Sequence, residues 1–389
     1  MNEKWLLSLA LALLSNVCSS EELISAFKKI PSEFIITPHE QHIIQNMPRA
    51  TAQQVLGLCY AHSAVAIFNY YHCKYESLDC KNASPAQLAS PIDMARFGRF
   101  NASSENSRTD EDGLTVVTLD LNDYKLFKSI HEGGKGTVAL ELFGDLANGI
   151  ASQQCAPYEG IFGDASIDSG DLTEEDYKIQ RAQIDKLSGF YNKYKNDCPD
   201  IRNCPASVVT AFSELNLHER YSKRLGWSLQ SESYEEFLAA LLLPAECARA
   251  KNKIFFEYSQ ALKFDFYPKT TRKNKENFRT AMSKIVAAVN SDNPVLLEGL
   301  CPSMTKSGKC FDEGTRHALV IYGYAKFCAG DKCRYGLKLH NSWGKAWQDS
   351  ADATWYDAKT ILDTTNYEHR SLSWFVPKQE SDNPQPTNR

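Results

Sequence analysis

Apolar residues recur along the chain in two ways, at helical spacing and as short unbroken runs, which predicts a mixture of helices and strands. The strongest helical stripe covers residues 171–194. Ser233, followed three residues later by Glu236, predicts the start of another helix, which ends near Pro244. Further helices are predicted within residues 53–73, 84–88, 138–146 and 276–289.

Strands are expected mainly towards the end of the chain. Residues 294–300 favour one strand, and residues 317–324 and 335–341 favour two more, joined by a turn that contains Gly330-Asp331. Residues 377–389 are polar, and we expect them to form a disordered tail. The pattern therefore places helices in the middle of the chain and strands near its end, with no internal repeat.

The first twenty residues have the pattern of a secretory signal peptide. Residues 5–14 form an apolar run broken only by Ser8, and small or polar residues follow up to Ser19 and Ser20. The run is much shorter than the ~20 residues needed to cross a bilayer. We therefore expect residues 1–20 to be removed from an exported protein with no stable membrane insertion. Whether it is secreted, periplasmic or in the secretory or lysosomal pathway depends on the source.

Composition narrows the class of protein. The 389 residues include 43 basic and 48 acidic side chains, for a formal net charge of −5, which argues against a dedicated nucleic-acid binder. The 12 cysteines include no Cys-x-x-Cys pair, so a zinc ribbon, a zinc finger or a thioredoxin-type motif is not expected. We predict neither a metal nor a cofactor. Cysteines of an exported chain can instead form lasting disulfides.

Three segments carry side chains suited to nucleophilic catalysis. Cys59 lies where a helix is predicted to begin, and the positive end of the peptide dipoles there favours a thiolate. His317 begins an apolar strand, and Asn341 lies at the end of another. A thiol, an imidazole and an amide are the parts of a cysteine nucleophile, its base and the group that orients the base.

These segments resemble the papain-like cysteine peptidases. Cys59-Tyr60-Ala61-His62-Ser63 is similar to the family's Cys-Trp-Ala-Phe-Ser, and Gln53 precedes the cysteine by six residues, as the family's oxyanion glutamine does. His317-Ala318 and the apolar strand after it are similar to the family's histidine segment. Asn341-Ser342-Trp343-Gly344 matches the family's most recognisable motif.

The resemblance covers about residues 48–160 and 274–376 and implies an α+β fold of two lobes, one helical and one similar to a β-barrel. It implies a peptidase domain over residues 48–376, preceded by a short N-terminal segment at residues 21–47. Residues 161–273 have no counterpart and are interpreted as a helical insertion in that domain. Because insertions commonly map to surface loops, we expect this one to decorate the domain rather than cap the cleft.

The resemblance also implies a role for each site residue. Cys59 attacks the scissile carbonyl as a thiolate, and His317 is its imidazolium partner and later the acid for the leaving amine. Asn341 holds the orientation of the ring, and Trp343 shields that hydrogen bond from water. The Gln53 side chain and the Cys59 backbone N–H form the oxyanion hole, where losing one donor costs about 10²–10³ in rate.

The implied function is a secreted cysteine-type peptidase, whose partners are protein or peptide substrates and protein inhibitors. One alternative is a catalytically silent papain-like protein used for binding or inhibition, which is disfavoured because all four chemical positions are filled. Another is a transglutaminase-like acyl-transfer enzyme with a Cys–His pair, and the Asn-Ser-Trp-Gly motif argues against it.

Three residues depart from the family's pattern. Tyr60 replaces the usual tryptophan after the nucleophile, and Leu56 stands where many members have a disulfide cysteine. Arg316 precedes the histidine, and a positive charge there is expected to disfavour the imidazolium. We interpret His62, a helix neighbour of Cys59, as structural.

The cysteine count is consistent with five disulfides. If Cys18 leaves with the signal peptide and Cys59 stays free as the nucleophile, ten cysteines remain. Three local bridges are predicted, Cys73 with Cys80, Cys198 with Cys204, and Cys328 with Cys333. The other four cysteines are left without an assigned partner.

Overall fold

The structure is a computed structural model that describes most of the chain. The predicted signal peptide, Gln53 and residues 379–389 of the predicted tail lie outside the described residues. The predicted start of that tail is wrong, because Pro377 belongs to the strand Leu372–Pro377 and the Lys378 N–H donates to the Ala261 carbonyl at 2.9 Å. Helices and strands are both abundant, so the mixed helix-and-sheet composition is confirmed. The described ranges are 24–52, 56–98, 107–109, 115–117, 128–145, 149–161, 174–198, 204–215, 217–255, 261–269, 278–305, 309–310, 316–367 and 370–378.

The predicted helices near residues 59–73, 138–146, 171–194, 233–244 and 276–289 are present. Across the described ranges, no helix is both long enough and apolar enough to span a bilayer. The α-helices are α1 Cys59–Tyr75, α2 Pro91–Met94, α3 Gly136–Asp145, α4 Glu174–Tyr194, α5 Ala206–Ser213, α6 Leu225–Ser228, α7 Tyr234–Leu242, α8 Phe278–Asn290, α9 Lys345–Asp352 and α10 Ala358–Asp363. Short 3₁₀ turns lie at Ala95–Phe97, Glu219–Arg224, Ala245–Ala248 and Ala250–Asn252.

The predicted cap of α7 is confirmed. The Ser233 hydroxyl accepts a hydrogen bond from the Glu236 backbone N–H at 3.2 Å, and the Glu236 carboxylate accepts one from the Glu232 N–H at 3.0 Å. The Ser233 side chain satisfies an N–H group that the first helical turn leaves without a partner, and the Glu236 side chain holds the residue just before the cap, which is why the helix begins at this point.

The predicted helix at residues 84–88 is wrong, because this segment forms turns. The Ser84 backbone N–H and hydroxyl both donate to the Gln87 side chain, at 3.0 and 2.9 Å. A helix appears only further on, at α2, where the Ser90 hydroxyl accepts from the Ile92 N–H and Pro91 occupies the first position. Local side-chain bonds from Ser84 thus compete successfully with helix formation.

The strands form one large sheet and several short pairs. They are β1 Ile24–Ser25, β2 Ile35–Ile43, β3 Ser107–Thr109, β4 Thr115–Val117, β5 Ile150–Ala151, β6 Lys253–Ile254, β7 Leu262–Tyr267, β8 Val295–Leu300, β9 Ser303–Met304, β10 His317–Ala329, β11 Lys332–His340, β12 Tyr356–Asp357 and β13 Leu372–Pro377. The large sheet has the order β12-β11-β10-β8-β13-β7, with β2 also paired to β10. Its pairings are antiparallel.

Strand β10 is the centre of this sheet. Its first half pairs with β8, its second half pairs with β2, and β11 pairs along its other edge. The predicted hairpin of β10 and β11 is confirmed, with its turn at Gly330, whose φ is 58°. The register sets Val320 opposite His340, so the start of β10 and the end of β11 lie at the same end of the hairpin.

Helix α1 packs against β10, β8 and α3 in the core. Its residues are buried on nearly every side, which explains why its apolar stripe is weak for a helix of this length. The start of α3 approaches it closely, since a Cβ added at Gly136 would lie 2.7 Å from the Tyr60 carbonyl oxygen. A glycine is therefore required where α3 meets the first turn of α1.

Five disulfides lie within the described residues, as many as the cysteine count suggested. The three predicted local bridges are confirmed, and the four cysteines without an assigned partner form two further pairs. In that part of the chain Cys59 is the free cysteine. The bridges join Cys73 to Cys80, Cys155 to Cys247, Cys198 to Cys204, Cys301 to Cys310 and Cys328 to Cys333.

Candidate active site

Cys59 is the first residue of α1, and its sulfur lies against the beginning of β10. The residue is 9% exposed. Its Sγ lies 4.0 Å from the Arg316 carbonyl oxygen, and the backbone N–H of Ala318 also bonds to it. These two residues flank His317, so the fold brings the thiol to the backbone on both sides of the imidazole.

Burial dominates the electrostatics of the thiol. It raises the pKa of Cys59 from 9.0 to about 11, although the backbone N–H groups of Ala318, Tyr60 and Cys59 itself act in the opposite direction. The charge of Glu298 raises this pKa further. The backbone donors at the start of α1 thus stabilise a thiolate, as expected, but burial raises the pKa of the thiol by more than these donors lower it.

The imidazole of His317 is bonded to Asn341 and is also buried. The residue is 6% exposed, and burial lowers the pKa of the ring from 6.5 to about 4, while the bond to Asn341 raises it. Nε2 lies 2.6 Å from Asn341 Oδ1, and because an amide oxygen only accepts, Nε2 is the protonated nitrogen. Nδ1 of the neutral ring is therefore left as a proton acceptor.

These two pKa values make the resting thiol and imidazole neutral. A thiolate–imidazolium pair, which the resemblance implies, forms when the proton moves from Cys59 Sγ to the ring, and this transfer leaves the net charge of the pair unchanged. The Arg316 side chain is exposed, and its Nη1 donates to the Gly299 carbonyl at 3.3 Å. The unfavourable effect expected from this charge is small beside burial, which is the largest influence on His317.

Asn341 is held by backbone and side-chain bonds that fix its amide. Its Oδ1 also accepts from the Ser342 backbone N–H at 2.8 Å, and the backbone N–H of Asn341 donates to Gln348 Oε1 at 3.0 Å. Gln348 lies in α9, is buried, and donates through Nε2 to the Leu339 carbonyl at 2.9 Å. Gln348 therefore joins the end of β11 to α9. Sequence reasoning missed it because a single glutamine in a polar segment has no distinguishing pattern.

Trp343 lies over the imidazole. Its ring centroid is 4.9 Å from that of His317, with the planes tilted by 34°. Phe27 packs edge-on against the same indole at 5.2 Å, and Trp347 does so at 5.7 Å. The His317–Asn341 bond is thus covered by aromatic rings, one of them supplied by the N-terminal segment. Nothing in the sequence pattern had indicated Phe27.

Tyr60 shapes the surface beside the nucleophile. Its ring lies between two glycines, since a Cβ at Gly98 would be 1.9 Å from the ring and one at Gly134 would be 2.5 Å away. Its hydroxyl lies 2.8 Å from the carbonyl oxygens of both Ala95 and His131, which share its one proton. Tyr60, which stands where the resemblance would place a tryptophan, therefore uses its hydroxyl to contact two backbone carbonyls. An indole N–H could reach these carbonyls only from a different position.

The structure brings together four of the five predicted site residues, Cys59, His317, Asn341 and Trp343. The fifth, Gln53, lies outside the described residues. His62 is buried and its Nδ1 lies 2.5 Å from the Thr51 hydroxyl, in keeping with a structural role. No group of three or more His, Cys, Asp or Glu side chains that could hold a metal ion occurs in the part of the chain that the structure describes.

We expect the protein to lose stability as the pH falls below about 6.5. Burial lowers the pKa of His62 to about 3 and that of His317 to about 4, and it also lowers the pKa of His340. Below the unfolded pKa, the unfolded chain takes up protons on these rings while the folded protein does not. Each ring then removes up to about 1.4 kcal/mol of unfolding free energy per pH unit, until the folded pKa is reached.

Glu298 acts in the opposite direction, because burial raises its pKa and the folded state takes up its proton first. Three rings outweigh one carboxyl, so urea unfolding at about pH 5.5 should give a free energy about 3 kcal/mol below that at about pH 7. In a His62→Gln variant the loss should be smaller by about 1 kcal/mol. Equal stability of the unmodified protein at the two pH values would contradict this account of the buried histidines.

Comparison with known proteins finds a distant similarity to a solved structure. No family model matches the chain, and no curated protein matches it. Among solved structures, the chain is similar to xylellain, a cysteine protease from Xylella fastidiosa, with 11% sequence identity, 91% of this chain and 96% of that chain covered, and a TM-score of 0.37. This is a remote likeness of fold, so the chemistry of the site has to be argued from its own residues.

Proposed function

We propose that the protein is a papain-like cysteine peptidase that hydrolyses peptide bonds through a thioester on Cys59. The observation that carries the proposal is the position of the Cys59 sulfur against the backbone on either side of His317, whose ring is bonded to Asn341 at 2.6 Å. A free thiol beside an oriented imidazole is the arrangement that thiol acyl-transfer chemistry requires. The aromatic cover of the imidazole–amide bond supports the same function.

Acylation begins when Cys59 Sγ attacks the scissile carbonyl carbon and its proton moves to Nδ1 of His317. The sulfur–carbon bond forms and the carbonyl π electrons move to the oxygen. The backbone N–H of Cys59 and, by the resemblance, the Gln53 side chain donate to that oxygen. The carbon–nitrogen bond then breaks, and the leaving amine takes the proton from His317. A thioester and a neutral imidazole remain.

Deacylation repeats these steps with water. His317 removes a proton from the water as its oxygen attacks the thioester carbon. The carbon–sulfur bond breaks, the carboxylic acid leaves, and the proton returns from His317 to the Cys59 sulfur. Asn341 keeps Nδ1 directed towards the reacting atoms throughout, because its bond to Nε2 fixes the ring orientation.

The proposal extends to the location and organisation of the chain. Five disulfides favour an oxidising compartment, which agrees with removal of residues 1–20 during export. We propose one peptidase domain over residues 48–376, in which residues 161–273 are an insertion. The helices α4 to α7 lie in that segment, together with β6 and β7, and β7 is an edge strand of the large sheet. Cys155–Cys247 joins the segment to the region before it.

The function is tested with the mature protein, residues 21–389, incubated with a mixture of unstructured peptides in water enriched in oxygen-18. We expect new peptide termini, with one oxygen-18 atom in each new carboxyl group because water opens the thioester. Mass spectrometry of the products measures both. The Cys59→Ala variant is the matched control, because alanine is also small and apolar and suits this buried position. It should give neither new termini nor oxygen-18 incorporation.

The alternatives predict other results. A silent binding protein would leave all peptides intact in both samples. A transglutaminase-like enzyme would release ammonia from glutamine side chains without producing new termini. Either result would overturn the proposed function.

A further inference from the structure

Glu298 is a charged residue beside the proposed nucleophile that the mechanism does not use. It follows the buried residues Val295, Leu296 and Leu297 in β8 and is itself half-buried. Strand β8 pairs with β10, with Leu300 opposite His317. The carboxylate therefore belongs to the strand directly alongside the catalytic histidine.

The beginning of α3 binds this carboxylate. Oε1 accepts from the Gly136 N–H at 2.6 Å, and Oε2 accepts from the Thr137 N–H at 3.3 Å and from the Thr137 hydroxyl. Gly136 is also the residue whose Cβ would lie 2.7 Å from the Tyr60 carbonyl oxygen. The carboxylate thus lies where β8 and α3 meet the first turn of α1. The contact with that turn is at Tyr60, the residue after Cys59.

The charge of Glu298 is unfavourable in the unliganded protein. Burial is the largest influence on its pKa and raises it, so ionisation is costly despite the three donors from α3. Its negative charge also raises the pKa of Cys59 and so opposes the thiolate. A neutral side chain could accept the Gly136 hydrogen bond without either cost, so contact with α3 alone does not explain a carboxylate here.

A cationic ligand would remove both costs. An ionised carboxylate has about four lone-pair positions, and α3 donates to three of them. The side chain is partly exposed, and among the groups that lower its pKa the exposed Lys135 has the smallest effect. A charge-assisted hydrogen bond from a lysine or arginine of the substrate would occupy the remaining position.

We infer that Glu298 selects substrates with a lysine or arginine side chain close to the scissile bond. The inference rests on the proposed peptidase function and names its substrate class. Binding of the cation compensates the buried carboxylate and removes its opposition to the Cys59 thiolate. Substrate recognition therefore also assists formation of the nucleophile, which a structural contact between β8 and α3 would not do.

The experiment compares pairs of peptides that differ at one position near the scissile bond, with lysine in one and uncharged norleucine in the other. We expect the unmodified protein to prefer lysine by about 10–100-fold in kcat/KM at one position, as a hydrogen bond between charged groups provides. Glu298→Gln should bring that ratio close to one while leaving the norleucine peptide as good a substrate as before or a better one. Glu141→Gln is the matched control and should keep the preference, since it removes a carboxylate from α3, the helix that binds Glu298, but one that is paired with Arg370.

A second variant tests the inference without changing a buried residue. Lys135→Gln removes an exposed cation that competes with the substrate, and it should increase the preference for lysine. If Glu298→Gln slows both peptides equally, Glu298 only joins β8 to α3 and the inference is wrong. An unchanged preference in Glu298→Gln would overturn it as well.

Failure of this inference can be distinguished from failure of the proposed function. The affinity of the same peptide pair is measured on Cys59→Ala and on Cys59→Ala/Glu298→Gln by calorimetry, which needs no turnover. A lysine preference in binding that depends on Glu298 supports the inference even if no peptide is cleaved. Absence of cleavage would then refute only the proposed peptidase function. Cleavage that requires Cys59 but shows no dependence on substrate charge would refute only the inference.

Discussion

Replacing Cys59 with alanine is expected to reduce kcat for peptide hydrolysis by about 10⁵–10⁶-fold, because a thioester can no longer form. His317→Ala should reduce kcat nearly as much, since in the proposed mechanism the ring accepts the proton of Cys59 and later protonates the leaving amine. The two residues act as one unit, so the Cys59→Ala/His317→Ala double variant should be no slower than either single variant. Steady-state kinetics on one peptide substrate measures all three.

His62→Gln provides the control for loss of a buried histidine. His62 lies in the same helix as Cys59 and is buried to a similar extent as His317, but it binds Thr51 rather than the proposed reacting groups. The His62→Gln variant should retain activity within about 10-fold when assayed well below its unfolding temperature.

If the losses from Cys59→Ala and His317→Ala instead multiply in the double variant, the two residues act independently and the mechanism is wrong.

Removing the Cys155–Cys247 bridge is expected to lower the free energy of unfolding by about 4–5 kcal/mol. The bridge joins residues 92 positions apart, so it restricts the unfolded chain more than the other disulfides within the described residues. It also connects the region after β5 to the 3₁₀ turn at Ala245–Ala248. Urea unfolding of the Cys155→Ala/Cys247→Ala variant, without reducing agent, measures the loss.

The matched control is Cys198→Ala/Cys204→Ala, which opens a bridge between residues only six positions apart. This loop is so short that its loss should cost about 2 kcal/mol. Equal losses in the two variants would show that unfolded-chain entropy does not set the contribution of these bridges. A loss below about 1 kcal/mol for the long bridge would contradict the expectation directly.

Elements whose signal is local could be predicted from the sequence. The cap at Ser233 and Glu236 needs only neighbouring residues, and so does the hairpin turn at Gly330. The candidate site residues Cys59, His317 and Asn341 could also be identified from the sequence, because they occur within distinctive motifs. Local bridges such as Cys328–Cys333 follow from the same short range, since a hairpin brings the two cysteines opposite each other.

Features that depend on distant partners could not be predicted. Strand β2 is stabilised by pairing with β10, almost 300 positions later, and β7 is likewise defined by pairing with β13. The sequence around each strand contains no information about that partner. The same holds for Gln348 and Glu298, whose importance depends on burial beside Asn341 and beside α3.

The error at residues 84–88 has a different cause. Pro85 suits a helical first turn, and the prediction relied on that preference. Ser84 and Gln87 instead satisfy each other within a turn, next to the loop that the Cys73–Cys80 bridge closes. A local competitor of this kind is visible only once the hydrogen-bond partners are known.

The central claim is that Cys59 is a nucleophile activated by His317, and covalent labelling tests it most directly. The mature protein, with its disulfides intact, is treated with an epoxysuccinyl inhibitor of thiol peptidases, digested and mapped by mass spectrometry. We predict stoichiometric modification of Cys59, and a rate of modification that falls strongly in the His317→Ala variant. Absence of labelling at Cys59, or an equal rate without His317, would contradict the claim.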